Sequence, residues 1–281
     1  MRKAQMKKYI RLKKKALNND HKVPLLILKP REQKEKSTAV LWMHGGGYIV
    51  GSKGMVYMSR VFPFVKKYNT VVISPGYRLA WLHPYPAAIN DCYAALIYIK
   101  EHAEELGIRD DQIMVGGESA GGGLSAALCM MARDKEEVNI AYQMPLYPML
   151  DNFDTESSAD NHGKIWNTKL NHLGWKKYLR SKAHEEVSSY ASPSREKNYE
   201  GLPPAYTFVT SGEPFYKETL TYIDNLKKAG VEASVDVFES DVHAFDIVNP
   251  VSDNSKQAIK NFEMHFRYAQ EHYFAEQKSN K

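Results

Sequence analysis

The sequence predicts an α/β fold, in which a mostly parallel, doubly wound sheet of about seven or eight strands is covered by helices on both faces. Short apolar runs rich in β-branched residues alternate along the chain with longer helical patterns, an order typical of parallel sheets. Several of these runs are almost entirely apolar, as expected for strands that are buried on both faces. The length of 281 residues suits one large domain or one and a half.

The apolar runs give the candidate strands of this sheet. They are 23–29, 38–43, 70–75, 112–116, 140–147, 204–211 and 232–238. Helical patterns lie between them at about 55–68, 86–106, 119–133, 214–229 and 252–275. Because no helix separates the first two strands, we predict that 23–29 and 38–43 pair as an antiparallel hairpin at one edge of the sheet.

One long polar stretch, 150–190, interrupts this alternation. Long insertions in compact domains are usually functional. We therefore interpret 150–190 as a lid with one or two short helices over 165–182; the alternative is a surface insertion without a role. The α/β core then comprises 23–149 and 191–281.

The first fifteen residues contain eight lysines or arginines and no acid, against a net charge of +5 for the whole chain. The rest of the chain is therefore mildly acidic, which gives no reason to expect nucleic-acid binding. We predict that 1–22 forms a basic helical segment, open to use as part of a cap, with Met6, Ile10 and Leu17 on one stripe. This helix either contacts a membrane surface or a partner, or is solvated and leans on the body.

The cysteine content and the hydropathy pattern indicate in which cellular compartment the protein is expected. Cys92 and Cys129 are the only cysteines, and both lie in apolar, helix-like surroundings, so we expect free thiols and neither a disulfide framework nor a cysteine-based metal site. This favours a cytoplasmic protein, although a secreted protein without disulfides would look the same. No apolar run is long enough for a membrane span, and the basic head lacks the apolar region of a secretory signal.

The segment 117–121, Gly-Glu-Ser-Ala-Gly, fits the G-x-S-x-G pattern. A predicted strand leads into it and a helix rich in small residues leaves it, which is the context that a nucleophile elbow requires. Glycines two positions before and after Ser119 allow the strand and helix to approach closely. The turn would expose the Ser119 hydroxyl at the positive end of a helix. The rival interpretation, a phosphate-binding glycine loop, lacks the required lysine and glycine spacing.

A second glycine-rich segment, 44–47, directly follows strand 38–43 and reads His-Gly-Gly-Gly. Its amides can point toward one atom, as stabilisation of the oxyanion in acyl transfer requires. The candidate donors are the backbone amides of Gly45, Gly46, Gly47 and Ala120. We expect His44 to brace this loop through hydrogen bonds. The alternative for the whole segment is an ordinary glycine-rich hairpin turn.

These motifs together resemble those of the hormone-sensitive-lipase-like esterases, the family often called α/β-hydrolase fold-3. The residues that carry the resemblance are 44–47, 77–80, 83–88, Asp91, 117–122, Tyr147 with Pro148, Ser192 with Pro193, and His243 with Phe245. They occur in the family's order from about residue 38 to 250, which is most of the chain. The resemblance implies the α/β-hydrolase fold, a carboxylic-ester hydrolase activity on short acyl esters from acetyl to hexanoyl, and no metal or other cofactor.

The chain also departs from the family pattern. Glu118 stands where relatives commonly have aspartate, and Trp81 with Leu82 replaces the usual Pro-Glu. The stretch before His44 is shorter than the N-terminal cap of many relatives. These departures concern the substrate pocket more than the chemistry.

The general base must be a histidine late in the chain, since this fold orders its triad as serine, acid and histidine. His243 lies just past strand 232–238, where a loop can bring an imidazole to Ser119. His265 and His272 lie inside the last predicted helix. We therefore predict that His243 is the base.

The acid has more than one candidate. The family has Asp-Pro-Leu after the strand carried here by 204–211, and this chain has Glu213 at the aspartate position. Either carboxylate can orient the imidazole, so the resemblance favours Glu213. The alternative is that Glu213 only favours a helix N-terminus and that Asp241 or Asp246 contacts the histidine.

The sequence thus predicts a serine hydrolase that cleaves short-chain carboxylic esters through an acyl-enzyme on Ser119. Two alternatives stay open: a ligand-binding relative without catalysis, and a small peptidase or amidase of the same fold. The expected partner is a small ester substrate, without nucleic acid or stable membrane insertion. A homodimer is left open.

Overall fold

The architecture was analysed in a computed structural model that describes residues 9–19, 21–33 and 35–278. Eight strands form one sheet in the order β1-β2-β4-β3-β5-β6-β7-β8. The strands are β1 Tyr9–Asn18, β2 His21–Pro30, β3 Ser37–Met43, β4 Thr70–Pro75, β5 Ile108–Glu118, β6 Tyr142–Leu146, β7 Ala205–Thr210 and β8 Ala233–Phe238. Strands β3 to β8 pair in parallel, whereas β1 and β2 are antiparallel to their neighbours. The predicted mostly parallel α/β fold is confirmed.

Helices cover both faces of this sheet. They are α1 Phe64–Lys67, α2 Ala87–Glu101, α3 Ala103–Leu106, α4 Ala120–Lys135, α5 Thr168–Leu179, α6 Tyr216–Lys228, α7 Phe245–Val248 and α8 Asp253–His272. Local chemistry sets several of their starts. The Ser252 side chain accepts a hydrogen bond from Ser255 N at the start of α8, and Asn167 does the same for Leu170 N at α5, which satisfies amides that have no partner inside the helix.

The sheet separates two apolar cores, and neighbouring residues of one strand contribute to opposite ones. In β2, Leu25 and Ile27 pack into the core beneath α2 and α4, while Leu26 and Leu28 pack into the core that contains the aromatic residues of α8. Successive side chains in a strand point to opposite faces. A strand with a core on each side must therefore be apolar throughout, which explains the continuous apolar runs of the sequence.

The helix predicted for 1–22 is wrong for the residues that the structure describes there. Residues 9–18 form β1, which pairs with β2 from Tyr9 opposite Pro30 to Asn18 opposite His21. Burial in β1 alternates with period two from Arg11 to Asn18, so that Leu12 and Ala16 face the body while Leu17 is exposed; Ile10, next to the first residue of the strand, is exposed as well. The free edge of β2 offers these residues hydrogen bonds that local helical periodicity cannot reveal. Met6 lies outside the described residues.

Two further expectations are wrong in detail. The predicted hairpin between 23–29 and 38–43 does not form, because β4 lies between β2 and β3 and pairs with both. The helix predicted over 55–68 is instead a 3₁₀ turn at Lys53–Tyr57 and the short α1, which begins directly after Pro63. A proline inside a helical pattern removes a backbone donor and interrupts the helix.

The polar stretch 150–190 contains α5 and a 3₁₀ turn at Arg180–Lys182, in agreement with the short helices predicted over 165–182. None of the helices in the described part of the chain has the length and apolar character needed to cross a bilayer.

Candidate active site

Ser119 occupies a strained turn between β5 and α4. Its backbone has φ 58° and ψ −120°, a combination that non-glycine residues rarely adopt and that persists only under tight packing. A Cβ on Gly117 or Gly121 would lie 2.4 Å or 2.2 Å from the carbonyl oxygen of Met43. Only glycine permits this approach of β3 to the turn, which explains the spacing of the sequence motif.

His243 lies between Ser119 and Glu213. Its Nε2 is 3.0 Å from Ser119 Oγ, and its Nδ1 is 2.7 Å from Glu213 Oε1. All three side chains are buried. The structure therefore brings together the three residues that the sequence singled out, in the serine–histidine–carboxylate order of a catalytic triad.

Glu213 is fixed on its other side as well. Its Oε2 accepts hydrogen bonds from Thr210 N at 3.1 Å and from Thr210 Oγ1 at 2.9 Å. The ring of His243 is held edge-on between Phe215 and Tyr147, with centroid distances of 5.0 Å and 5.1 Å. Fixed partners of this kind lock the orientation of the imidazole.

The two aspartates considered as alternatives lie elsewhere. Asp241 is exposed. Asp246 is buried, but its Oδ2 accepts a hydrogen bond from Arg60 Nε at 2.8 Å. Among the described carboxylates near the loop of His243, it is Glu213 that contacts the imidazole.

The glycine-rich loop 44–47 lies directly beside the nucleophile. A Cβ on Gly45 would be 3.3 Å from the Ser119 Cβ. Gly46 and Gly47 have φ values of +117° and +58°, which L side chains rarely adopt. Ala120 begins α4, so its amide lies at the positive end of a helix. Gly45 and Ala120 thus lie next to Ser119, and the role of the four amides as oxyanion donors stays a prediction.

His44 is buried within this loop and takes part in its hydrogen bonds. Its Nδ1 lies 2.8 Å from the Gly45 carbonyl oxygen, and Tyr77 Oη donates to the His44 carbonyl at 2.7 Å. The rings of Tyr77 and His44 stack at 4.2 Å. Burial lowers the pKa of His44 to about 4, so a neutral ring braces the loop at ordinary pH.

Helix α5 and the loop before it place aromatic side chains against the residues of the glycine-rich loop. A Cβ on Gly47 would be 2.2 Å from the indole of Trp166, so this ring lies against the loop. Tyr178 of α5 stacks on Tyr48 at 4.1 Å. Tyr48 and Trp166 were not identified as site residues from the sequence; the only available signal was the presence of aromatic residues in a polar insertion and after the glycines.

A partly buried ion pair supports the loop that contacts the polar stretch 150–190. Arg78 donates to Asp91 through Nε at 2.9 Å and Nη2 at 2.8 Å. The chain continues from Arg78 to Ala80 and Trp81, whose carbonyls both accept a hydrogen bond from Arg180 of that stretch at 3.2 Å. The resemblance named Arg78 and Asp91, and the structure shows that they anchor this loop.

Comparisons with known proteins agree on esterases. Esterase LipI of Mycobacterium tuberculosis is 31% identical over 212 residues, which are 75% of this chain and 66% of LipI. An arylesterase of Saccharolobus solfataricus is 29% identical over 230 residues, 80% of this chain and 74% of the relative. The chain spans 56% of the length of the carboxylic ester hydrolase LipN of M. tuberculosis, so it spans less than two thirds of some of these curated relatives.

Solved structures similar to this chain include esterases. A bacterial heroin esterase superposes with a TM-score of 0.86 and 33% sequence identity, over 93% of this chain and 84% of that one. A hyperthermophilic esterase of the archaeon Pyrobaculum calidifontis superposes with a TM-score of 0.83 and 27% identity, over 93% and 83% of the two chains. A family profile described as α/β hydrolase fold matches residues 40–247. Since this match covers most of the chain, the protein belongs to the α/β-hydrolase fold-3 family.

Proposed function

We propose that this protein is a serine carboxylesterase that cleaves small esters by two-step acyl transfer. One observation carries the proposal: the buried chain of contacts from Ser119 Oγ through His243 to Glu213, at 3.0 Å and 2.7 Å. The names of the relatives, which are esterases and ester hydrolases, support the same chemistry.

In the first step, His243 Nε2 accepts the Ser119 proton while Oγ attacks the carbonyl carbon of the ester. Glu213 holds the imidazole in the tautomer with its proton on Nδ1 and stabilises the imidazolium that forms. His243 then gives the proton to the leaving alkoxide, so that the alcohol departs and the acyl-enzyme remains.

In the second step, His243 takes a proton from water, and the hydroxide attacks the acyl-enzyme. The carboxylic acid leaves as Ser119 regains its proton. Negative charge develops on the carbonyl oxygen in both steps. The proposed donors for this oxygen are the amides of the glycine loop and Ala120, which supply fixed dipoles that need no reorganisation during the reaction.

We further propose that the substrates carry short acyl chains. Trp166 lies against Gly47 and Tyr178 against Tyr48, so aromatic side chains of the lid crowd the oxyanion loop. With p-nitrophenyl esters of increasing length, kcat/KM should fall beyond about six to eight acyl carbons. A maximum at about twelve carbons or more would indicate a lipase instead.

The central test is Ser119→Ala, with Ser125→Ala as the matched control. Ser125 lies six positions later in α4, buried and without a hydrogen-bond partner among the described residues. Ser119→Ala should lose p-nitrophenyl acetate hydrolysis by roughly 10⁴-fold or more and should no longer react with a fluorophosphonate. Ser125→Ala should keep both.

Two results would favour the rival functions. Labelling of wild type without turnover of any ester would indicate a binding relative, and faster cleavage of p-nitroanilides than of matched esters would indicate an amidase.

We also propose a cytoplasmic location for the protein. The free, buried thiols Cys92 and Cys129 support this proposal.

A further inference from the structure

One polar cluster, defined here as Trp42, Arg60, Glu118, Tyr147 and Asp246, includes residues of both the nucleophile turn and the loop of His243. Glu118, the residue before Ser119, accepts a hydrogen bond from Trp42 Nε1 at 2.8 Å. Asp246 follows His243 by three residues and is held by Arg60, whose Nε donates to Oδ2 at 2.8 Å and whose Nη2 donates to the Asp246 carbonyl. The cluster therefore contains two carboxyl groups and one arginine.

Tyr147 completes this cluster from the end of β6. Its ring packs edge-on against His243 at 5.1 Å. The pKa of Tyr147 is raised by burial and by the nearby negative charges of Asp246 and Glu118. Glu118 is hydrogen-bonded by Trp42 of β3. The titratable groups that interact with its charge lie in four further places: Arg60 before α1, Tyr77 after β4, Tyr147 after β6 and Asp246 in α7.

One carboxyl oxygen of the cluster lacks a hydrogen-bond donor. Glu118 Oε1 is buried and has no hydrogen-bond partner among the described residues, whereas Asp246 interacts with Arg60 and with the Tyr147 hydroxyl. A carboxyl oxygen can only accept while the group is ionised. A proton on one carboxyl would convert an acceptor into a donor and would remove one of two buried like charges that share a single arginine.

The environment selects Glu118 as the group that holds this proton. Burial raises the pKa of Glu118 to about 8; the hydrogen bond from Trp42 opposes this effect and the charge of Asp246 adds to it. Burial also raises the pKa of Asp246, but Arg60 stabilises its ionised form directly. Arg60 forms its ion pair with Asp246 and not with Glu118.

We propose that Glu118 is a positioning residue of the nucleophile turn whose buried carboxyl, with the Trp42 indole as its hydrogen-bond donor and one oxygen without a partner among the described residues, is a neutral acid at neutral pH. This inference rests on the proposed esterase function. Glu118 exchanges its proton with solvent and takes no part in the proton transfers of the reaction.

Deprotonation of Glu118 would disturb the site in two ways. It would bury a second negative charge, which the charge of Asp246 opposes, while Arg60 is already paired with Asp246. It would also place a negative charge one residue from the nucleophile, where the oxyanion develops. Both effects lower kcat as the pH rises through the titration of Glu118.

The first experiment compares pH profiles of kcat and KM for p-nitrophenyl acetate in wild type, Glu118→Gln and the surface control Glu200→Gln, from about pH 6 to about pH 10. Glutamine keeps the shape and neutrality of the protonated acid. Wild type and Glu200→Gln should lose kcat with an apparent pKa near 8, with little change in KM. Glu118→Gln should keep kcat within about threefold at pH 7 and lose this alkaline decline.

Three outcomes would overturn the proposal: a wild-type profile that stays flat to about pH 9.5, an unchanged alkaline decline in Glu118→Gln, or a folded Glu118→Gln that loses more than about tenfold at pH 7. The last would mean that the ionised carboxylate is needed.

A second measurement needs no activity. The infrared difference spectrum of wild type minus Glu118→Gln should show the carbonyl band of a buried carboxylic acid at pH 7, which disappears as the pH rises through about 8. The subtraction removes the contribution of Glu218, a second buried glutamate whose pKa is raised by burial. Absence of the band at pH 7 would overturn the proposal. If the band is present but no ester is cleaved at any pH, the proposed function fails while the protonation of Glu118 stands.

Discussion

Two buried glutamates adjoin the Ser119–His243 pair, and their surroundings differ: Glu118 precedes Ser119 in the chain, and Glu213 contacts His243. Glu213 accepts hydrogen bonds at both carboxyl oxygens, from His243 and from Thr210. Glu118 accepts one from Trp42, and its second oxygen has no partner among the described residues. The same side chain thus has different surroundings in the two positions, and the environment of a buried carboxyl sets its charge.

The largest difference should appear when both glutamates are changed to glutamine. Glu213→Gln should lower kcat by roughly 10² to 10⁴, because an amide can hold the imidazole in the wrong tautomer. Glu118→Gln should remain within about threefold at pH 7, as argued for a neutral group. Steady-state kinetics with p-nitrophenyl acetate measures both, and circular dichroism checks the fold.

Asp241→Asn is the control for the assignment of Glu213 as the triad acid, since Asp241 lies two residues before His243 and is exposed. It should keep kcat within about threefold. An inactive Asp241→Asn beside an active Glu213→Gln would contradict the assignment of the acid and would remove the contrast between the two glutamates.

A smaller effect is expected from Glu213→Asp. Aspartate is the residue that the family commonly has at this position. In this protein His243 Nδ1 lies 2.7 Å from Oε1 of the longer Glu213 side chain. The shorter carboxylate leaves a gap, so kcat should fall by roughly 10-fold and not vanish. Full activity would show that the loop adapts freely, whereas complete loss would show that it cannot move at all.

The last comparison concerns stability and not catalysis. The pKa of Glu118 is raised from 4.5 to about 8 by burial, so between these pH values the native state holds a proton that the unfolded chain has released. The stability contributed by this group is therefore complete below about pH 4.5 and is lost as the pH rises to about 8. Wild type should lose up to about 1.4 kcal/mol of unfolding free energy per pH unit relative to Glu118→Gln over this range.

Urea unfolding of the two proteins at several pH values measures this difference directly. Glu200→Gln should run parallel to wild type, since Glu200 is exposed. A gap between wild type and Glu118→Gln that stays constant from about pH 5 to about pH 8 would contradict the raised pKa.

The sequence by itself determined the features that depend on local pattern. The apolar runs predicted seven of the eight strands, because a strand with a core on each face must be apolar whatever its partners are. The G-x-S-x-G turn and the glycine loop were also predicted, because close backbone approach and positive φ require glycine at fixed positions. The residue order favoured Ser119, Glu213 and His243, and their catalytic roles stay predictions.

The tertiary structure decided what depends on partners distant in the chain. It turned 9–18 into a strand, because the free edge of β2 supplied hydrogen bonds that no local pattern encodes. It placed Glu213 against the imidazole of His243. It also paired Asp246 with Arg60, which lies 186 positions away in the sequence. It also brought the Trp42 indole to Glu118 and left the second oxygen of Glu118 buried without a partner among the described residues. The charge of a buried acid depends on desolvation and neighbouring charges, and both exist only after the chain has folded.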